Sequence, residues 1–139
     1  MNEENELDLD FLKFGKNKIK IGELTQEVID LLNINRNPCN IVMWSERLKY
    51  TEKHKFNFQT EEDYIEAIKN IPNIIKFPDY VGLHPTDNSI QYIKQVNRLM
   101  LVGVRIRPKG EISYRTAYPI TNSQLNDYIK KNRVKKVKM

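Results

Sequence analysis

The residues of this 139-residue chain whose types and spacing could do chemistry lie in two stretches. In the first, Ser45 to Phe58, Arg47, Tyr50 and His54 stand at i, i+3 and i+7, which share one face of an α-helix, with Lys55 beside them. In the second, Leu99 to Ile120, two strand-like runs surround Pro108-Lys109-Gly110 and carry Arg105, Arg107, Tyr114, Arg115, Thr116 and Tyr118. An imidazole can take the proton of a ribose 2′-OH or give one to a leaving 5′-oxygen. Arginine or lysine can stabilise the extra negative charge on a pentacoordinate phosphorus. Thr116 could hold a phosphate oxygen, and Tyr114 or Tyr118 could stack a base. Those are the parts for metal-free phosphodiester cleavage. The competing reading is an open sheet with a charged, solvated face, and an isolated helical histidine is more often a surface residue than a catalyst.

Hairpin register decides which of these side chains cooperate, because a slip of one residue moves a whole set across the sheet. A two-residue loop at Lys109-Gly110 sets Arg105 opposite Tyr114 and Gly103 opposite Thr116. Arg105, Arg107, Tyr114, Thr116 and Tyr118 then share one face, and Val102, Val104 and Ile106 the other. A three-residue loop places Arg105 with Ser113 and Arg115 instead. The first register is preferred because it leaves an unbroken apolar face on the first strand, although it sends Arg115 inward beside Ala117.

The elements that must position these groups follow from the pattern. Ile19 and Ile21 alternate with polar residues as in a strand; Thr25 can cap a helix bearing Val28, Ile29, Leu31 and Leu32; and Ile41 to Trp44 is a short buried strand. Ser45 is expected to cap a helix running to about Lys55, and Thr60 to open another that Pro72 ends. Trp44, Phe56 and Phe58 read as core. Pro78 to Gly82 reads as a turn entering a loop with His84, and Asp79 as serving that turn. Runs at 89–95, 99–107 and 111–120 then form an antiparallel meander, and Thr121 with Gln124 is a capping box for a last helix. Helices followed by a meander predict an α+β fold, with N-terminal helices on one face of a C-terminal antiparallel sheet.

Length and a hydrophobic content of 40% allow one domain with its own core and no staples. Residues 1–17 form an acidic lead that docks loosely as a helix or stays disordered, 18–132 the domain, and 133–139 a basic tail. The single cysteine, Cys39, excludes an internal disulfide and leaves no zinc-type Cys/His cluster, so no metal or other cofactor is expected. No apolar run approaches a membrane span, and the acidic start is unlike a secretory signal, which predicts a cytosolic protein without a membrane partner. The net charge of +5, concentrated toward the end, suits a polyanion such as RNA.

Several segments in order resemble the phage-associated nucleases of the barnase, EndoU, colicin and RelE-like superfamily, the PBECR group. They are Ile21-Gly22, Ile41 to Lys49, His54, Ile71 to Ile75, Pro78 to Gly82, Ser89-Ile90, Ile93-Lys94, Val102 to Arg105, and Arg115-Thr116-Ala117-Tyr118. The resemblance implies a small α+β ribonuclease fold and metal-independent RNA cleavage in a bacterial host cytosol, with an immunity or antitoxin protein as a possible partner. It also implies roles for His54, for Thr116 as the hydroxyl of a late strand, and for Lys94 and Arg105 as basic positions of the sheet. Where relatives often carry a second histidine one turn before His54, this chain has Tyr50. The second acid then falls to Tyr118, Lys94 or another group. The alternatives are an RNA-binding or interaction domain that has lost its chemistry, or a structural phage protein.

Overall fold

The alternating isoleucines after Asn17 form strand β1 (Lys18–Leu24), which pairs antiparallel with β2 (Cys39–Trp44). The structure, a computed structural model, describes residues 6–9 and 17–137. Between the two strands, the Thr25 side chain accepts a hydrogen bond from the Val28 amide and starts α1 (Gln26–Leu32), which Asn33 ends in a left-handed conformation. β2 passes directly into α2 (Ser45–Thr51). Ser45 is the first residue of that helix and not its cap: Trp44 holds the cap position, and the Ser45 hydroxyl accepts from the Asn17 amide at 3.1 Å, tying the helix to the start of β1. Past Thr51 the chain tightens into a 3-10 helix (Glu52–Asn57), so its side chains are rotated relative to a continuing α-helix. Thr60 caps α3 (Glu61–Lys69), and α4 (Ile71–Lys76) follows with Pro72 in its first turn. Pro72 therefore begins a helix where the sequence suggested an end, because a missing N–H is harmless there.

The remaining strands are β3 (Tyr80–Leu83), β4 (Ser89–Gln95), β5 (Leu99–Arg105) and β6 (Ile112–Pro119), followed by α5 (Asn122–Lys130) and β7 (Val134–Lys136). They complete one seven-stranded sheet in the order β1-β2-β6-β5-β4-β3-β7. All neighbours are antiparallel except β2 and β6, which run parallel and touch only at Ile41–Ile112 and Val42–Ser113. The α+β class holds, with three differences from the expected arrangement. β1 and β2 belong to the same sheet as the meander, β3 replaces a turn, and 133–136 is not a tail but supplies β7, paired with β3 from Tyr80–Lys136 to Gly82–Val134. Of the acidic lead, Glu6–Leu9 is docked, with Leu7 buried and its amide donating to the Lys69 carbonyl at 2.7 Å; its other residues up to Lys16 lie outside the described residues.

Strand alternation splits the sheet into two faces. The inner face (Val81, Ile90, Tyr92, Met100, Val102, Val104, Tyr114 and Ala117) packs with Val28, Ile29, Leu48, Ile68, Ile71 and Ile74 of the helices into the main core. Each such aliphatic side chain contributes roughly 1.5–3 kcal/mol by leaving water. On the outer face a smaller cluster of Ile93, Leu101, Ile120 and Val134, with Tyr118, Leu125 and Tyr128 against it, lies under α5. Two residues expected in the core are not there: Trp44 is 45% exposed and Phe56 93%, whereas Phe58 is buried. The 3-10 geometry turns Phe56 outward, while Phe58, just past that helix, packs edge-on against Tyr64.

Candidate active site

Three rows of side chains cross the outer face from β3 and β4 to β6. The apolar row is Tyr80, Ile93, Leu101 and Tyr118, and the far row is Ser89, Arg105 and Ser113. Between them runs Gly82, Gln91, Gly103 and Thr116. With glycine at two of its four positions this middle row is a trough. A methyl group at Gly103 would come within 3.2 Å of the Thr116 Cγ2, so the glycine lets the threonine side chain lie close against the neighbouring strand.

Both hairpin registers occur, one on each side of a bulge. Gly103 faces Thr116 as in the two-residue-loop reading, but Val104 faces Tyr114 and Arg105 faces Ser113, leaving Arg115 as the extra residue. The bulge turns Tyr114 into the core and brings Arg115 outward. Arg115 Nε lies 2.9 Å from an Asp87 carboxylate oxygen whose partner oxygen is 3.7 Å from Arg105 Nη2. The bulged carbonyl of Arg115 accepts from Arg47 Nε at 2.6 Å. Arg36 fixes the far end of the hairpin by donating to the carbonyls of Arg107 and Gly110. Arg47, Arg105, Arg107 and Arg115 thereby surround a recess of about 270 Å³ with Ser113 and Tyr114. A larger recess of about 560 Å³ between β1 and α4 contains neither histidine nor arginine among its lining residues, so the candidate chemistry belongs to the smaller one.

The short β2–β6 contact explains how α2 reaches this surface. Beyond Val42–Ser113 the two strands part, and α2 with the 3-10 helix after it packs alongside the exposed edge of β6. Thr51 meets Tyr114 on the core side of that edge, and His54 meets Tyr118 on the other, with ring centroids 5.2 Å apart and planes tilted by 39°. Burial, and secondarily the charge of Lys53, holds the His54 imidazole below its ordinary pKa, so at neutral pH it keeps a free lone pair. Burial raises the Tyr118 phenol, Tyr128 adds to this and Arg133 opposes it, so Tyr118 remains a proton-bearing donor. His54, Tyr118, Thr116, Arg105 and Arg115 are thus assembled on one side of the sheet, with Arg47 and Arg107 at the recess.

Other sequence candidates fall elsewhere. Tyr114 is 2% exposed and its hydroxyl bonds to Thr51, so it cannot stack a base. Y114F would leave the buried Thr51 hydroxyl without its partner and is expected to cost about 1–3 kcal/mol in urea denaturation, with RNA affinity unchanged. A Thr51→Val/Tyr114→Phe double variant recovers part of that loss; a Y114F protein as stable as the parent would contradict the assignment. Lys94 pairs with Met100 in the inner-face set, opposite to Arg105, and its ammonium lies 3.5 Å from Asp79. Lys94→Met should therefore leave phosphodiester cleavage within about twofold of the parent, since surface charges away from a site contribute little. A loss of two orders of magnitude would return Lys94 to the site. Lys55 turns to Glu61 at 2.7 Å and lies over the Tyr64 ring. Tyr50 is 63% exposed at the rim, with the Arg47 guanidinium 5.0 Å from its ring centroid. His84 serves its loop, as expected, with Nδ1 accepting from the amides of Thr86 and Asp87.

Sequence reasoning missed Ser89, Gln91, Asp87 and Arg133. Ser89 and Gln91 carried a signal, since both are polar at the strand parity of Ile93 and Leu101. Arg133 carried none, being one of many basic residues near the C-terminus. Among the described residues, no three His, Cys, Asp or Glu side chains cluster as metal ligands, and no helix is long and apolar enough to cross a membrane.

Comparison with known proteins gives one family. Neither a search of curated proteins nor one of solved structures finds a match. Residues 19–127, which include His54, Arg105, Thr116 and Tyr118 but not Arg133, match the model described as phage-Barnase-EndoU-ColicinE5/D-RelE like nuclease3. A chain matched over most of its length by this model belongs to this phage-associated nuclease family.

Proposed function

We propose that this nuclease is a metal-independent endoribonuclease working in a bacterial host cytosol. His54 accepts the proton of a ribose 2′-OH as that oxygen forms its bond to phosphorus. The bond from phosphorus to the 5′-oxygen breaks, Tyr118 supplies a proton to the leaving oxygen, and the products carry a 2′,3′-cyclic phosphate and a 5′-hydroxyl. Arg105 and Arg115, held by Asp87 and backed by Arg47 and Arg107, stabilise the charge that accumulates on the phosphoryl oxygens, one of which Thr116 holds. Tyr50, stacked on Arg47 at the rim, offers a face to a base.

The observation that carries the reading is the contact of a neutral imidazole with Tyr118 on the sheet face that also carries Arg105. An acidic inhibitor protein covering the same arginines is the natural form of an immunity partner. The second reading, a binding domain without chemistry, is favoured by Tyr50 standing where a second histidine would complete an acid/base pair. Labelled RNA incubated with the protein in EDTA separates them. Cleavage to cyclic-phosphate ends that persists under chelation supports the ribonuclease. Tight binding with intact RNA supports the binding domain, and loss of cleavage on chelation would overturn the metal-independent mechanism.

A further inference from the structure

Arg133 crosses the outer face at the end of the trough away from Thr116. Its backbone carbonyl sits directly above Gly82, where a β-carbon would come within 2.1 Å of it. The guanidinium stacks 4.1 Å from the Tyr128 ring centroid and donates through Nη2 to the Gln91 side-chain oxygen at 3.3 Å. No carboxylate among the described residues pairs with it, unlike Arg105 and Arg115, which share Asp87. Its Nε is buried without a hydrogen-bond partner among the described residues, and so is the hydroxyl of Ser89, which is 3% exposed on the same face as Gln91. A partly buried guanidinium without a counter-charge, and a buried hydroxyl without a partner, are each costly unless something polar meets them.

The geometry points to a second phosphate subsite formed by Arg133, Gln91 and Ser89, which holds the backbone phosphate of a nucleotide next to the one being cleaved. Gln91 and Thr116 are separated by two strand spacings, roughly 10 Å, across Gly103. Tyr128 fixes the plane of the guanidinium and Gln91 one of its edges, so the group is held in one orientation before an anion arrives. The subsite rests on the ribonuclease reading for the identity of its anion. Its residues include Arg133, beyond the part of the chain that the family model covers.

The test uses the full chain carrying His54→Ala, in which cleavage is expected to be slow, and measures affinity for a short single-stranded RNA across a range of salt. Adding Arg133→Gln is expected to weaken binding roughly tenfold at low salt. It should also lower the slope of log affinity against log salt by about 0.7, the signature of one lost phosphate contact on a single strand. Arg133→Lys should keep the slope. Ser89→Ala removes an unpaired buried hydroxyl, so it should leave the melting temperature unchanged or raised while weakening RNA binding by about threefold to fivefold. A purely structural Arg133 would change melting temperature and leave the slope alone, and that result overturns the subsite. If Arg133→Gln does not fold, Ser89→Ala decides, with unchanged RNA affinity counting against the proposal. A His54→Ala parent with no RNA affinity overturns the ribonuclease reading and the subsite together, whereas a parent that binds and an Arg133→Gln variant with the same slope overturns the subsite alone.

Discussion

His54→Ala is expected to reduce RNA cleavage by about 10²–10⁴-fold, the usual range for a positioned general base, with little change in RNA affinity. The expectation rests on where the imidazole sits. It packs on Tyr118 at the edge of the sheet and is not in the core, so its removal opens no buried cavity and should cost little stability. Its lowered pKa adds a second observable. A base must be unprotonated, so cleavage should fall as pH drops through the lowered value, placing the acid limb of the kcat/KM profile below the ordinary imidazole value of 6.5. The folding linkage has the same sign. The unfolded chain takes up a proton near 6.5 while the folded one resists until lower pH, so this contribution to stability is complete above 6.5 and is lost as pH falls through the folded pKa. An alanine variant that cleaves at the parental rate, or an acid limb centred above 6.5, would remove His54 from the chemistry.

Gly82→Ala should be among the most damaging single substitutions for stability, although it adds one carbon to an exposed-looking turn sequence. The new methyl group would lie 2.1 Å from the Arg133 carbonyl oxygen and 2.9 Å from the Val134 Cγ1. The first of these is backbone that cannot rotate away, so β7 must leave β3 or the β3–β7 register must shift. Overpacking of this kind typically costs about 1–3 kcal/mol, and a backbone collision belongs at the upper end. Urea unfolding should show the loss, and limited proteolysis should show cleavage near Val134 before the rest of the domain. A Gly82→Ala protein with an unchanged urea midpoint would mean that β7 does not pack as described. Because Arg133 hangs on the same strand start, the substitution should also weaken RNA binding.

Much of the scaffold could be read from patterns that local physics imposes. Thr25, Thr60 and Thr121 cap where a hydroxyl before an amphipathic run should, and the meander strands lie where apolar alternation put them. What escaped was set by distant partners. β3 has four residues and β7 three, too few for a period to show; β3 is paired with β4 on one side and β7 on the other, and β7 with β3 alone. The candidate site was legible in part for the same reason. His54, Arg105, Thr116 and Tyr118 were identified by side-chain chemistry, and they do share one side of the sheet. The bulge at Arg115 was not visible, because the apolar pattern was read as one register throughout and the interactions that hold both, Arg47 with the bulged carbonyl, Thr51 with Tyr114 and Asp87 with Arg115, come from distant parts of the chain. Lys94 was placed by the family resemblance, whereas strand alternation sets it with Ile90 and Tyr92 on the face away from Arg105.

The parting of β2 from β6 also determines when in the life of the chain the site can exist. Ile41 meets Ile112 across about half of the sequence, and β7 closes on β3 only after β4, β5, β6 and α5 have been synthesised. Pairings between segments so far apart form late, because the entropy of closing the intervening loop is lost before the contact returns anything. A polypeptide still threading from the ribosome already contains His54 but has neither Tyr118 nor Arg133 beside it. The surface that sets Tyr118 beside His54 therefore forms only after β6 has been made.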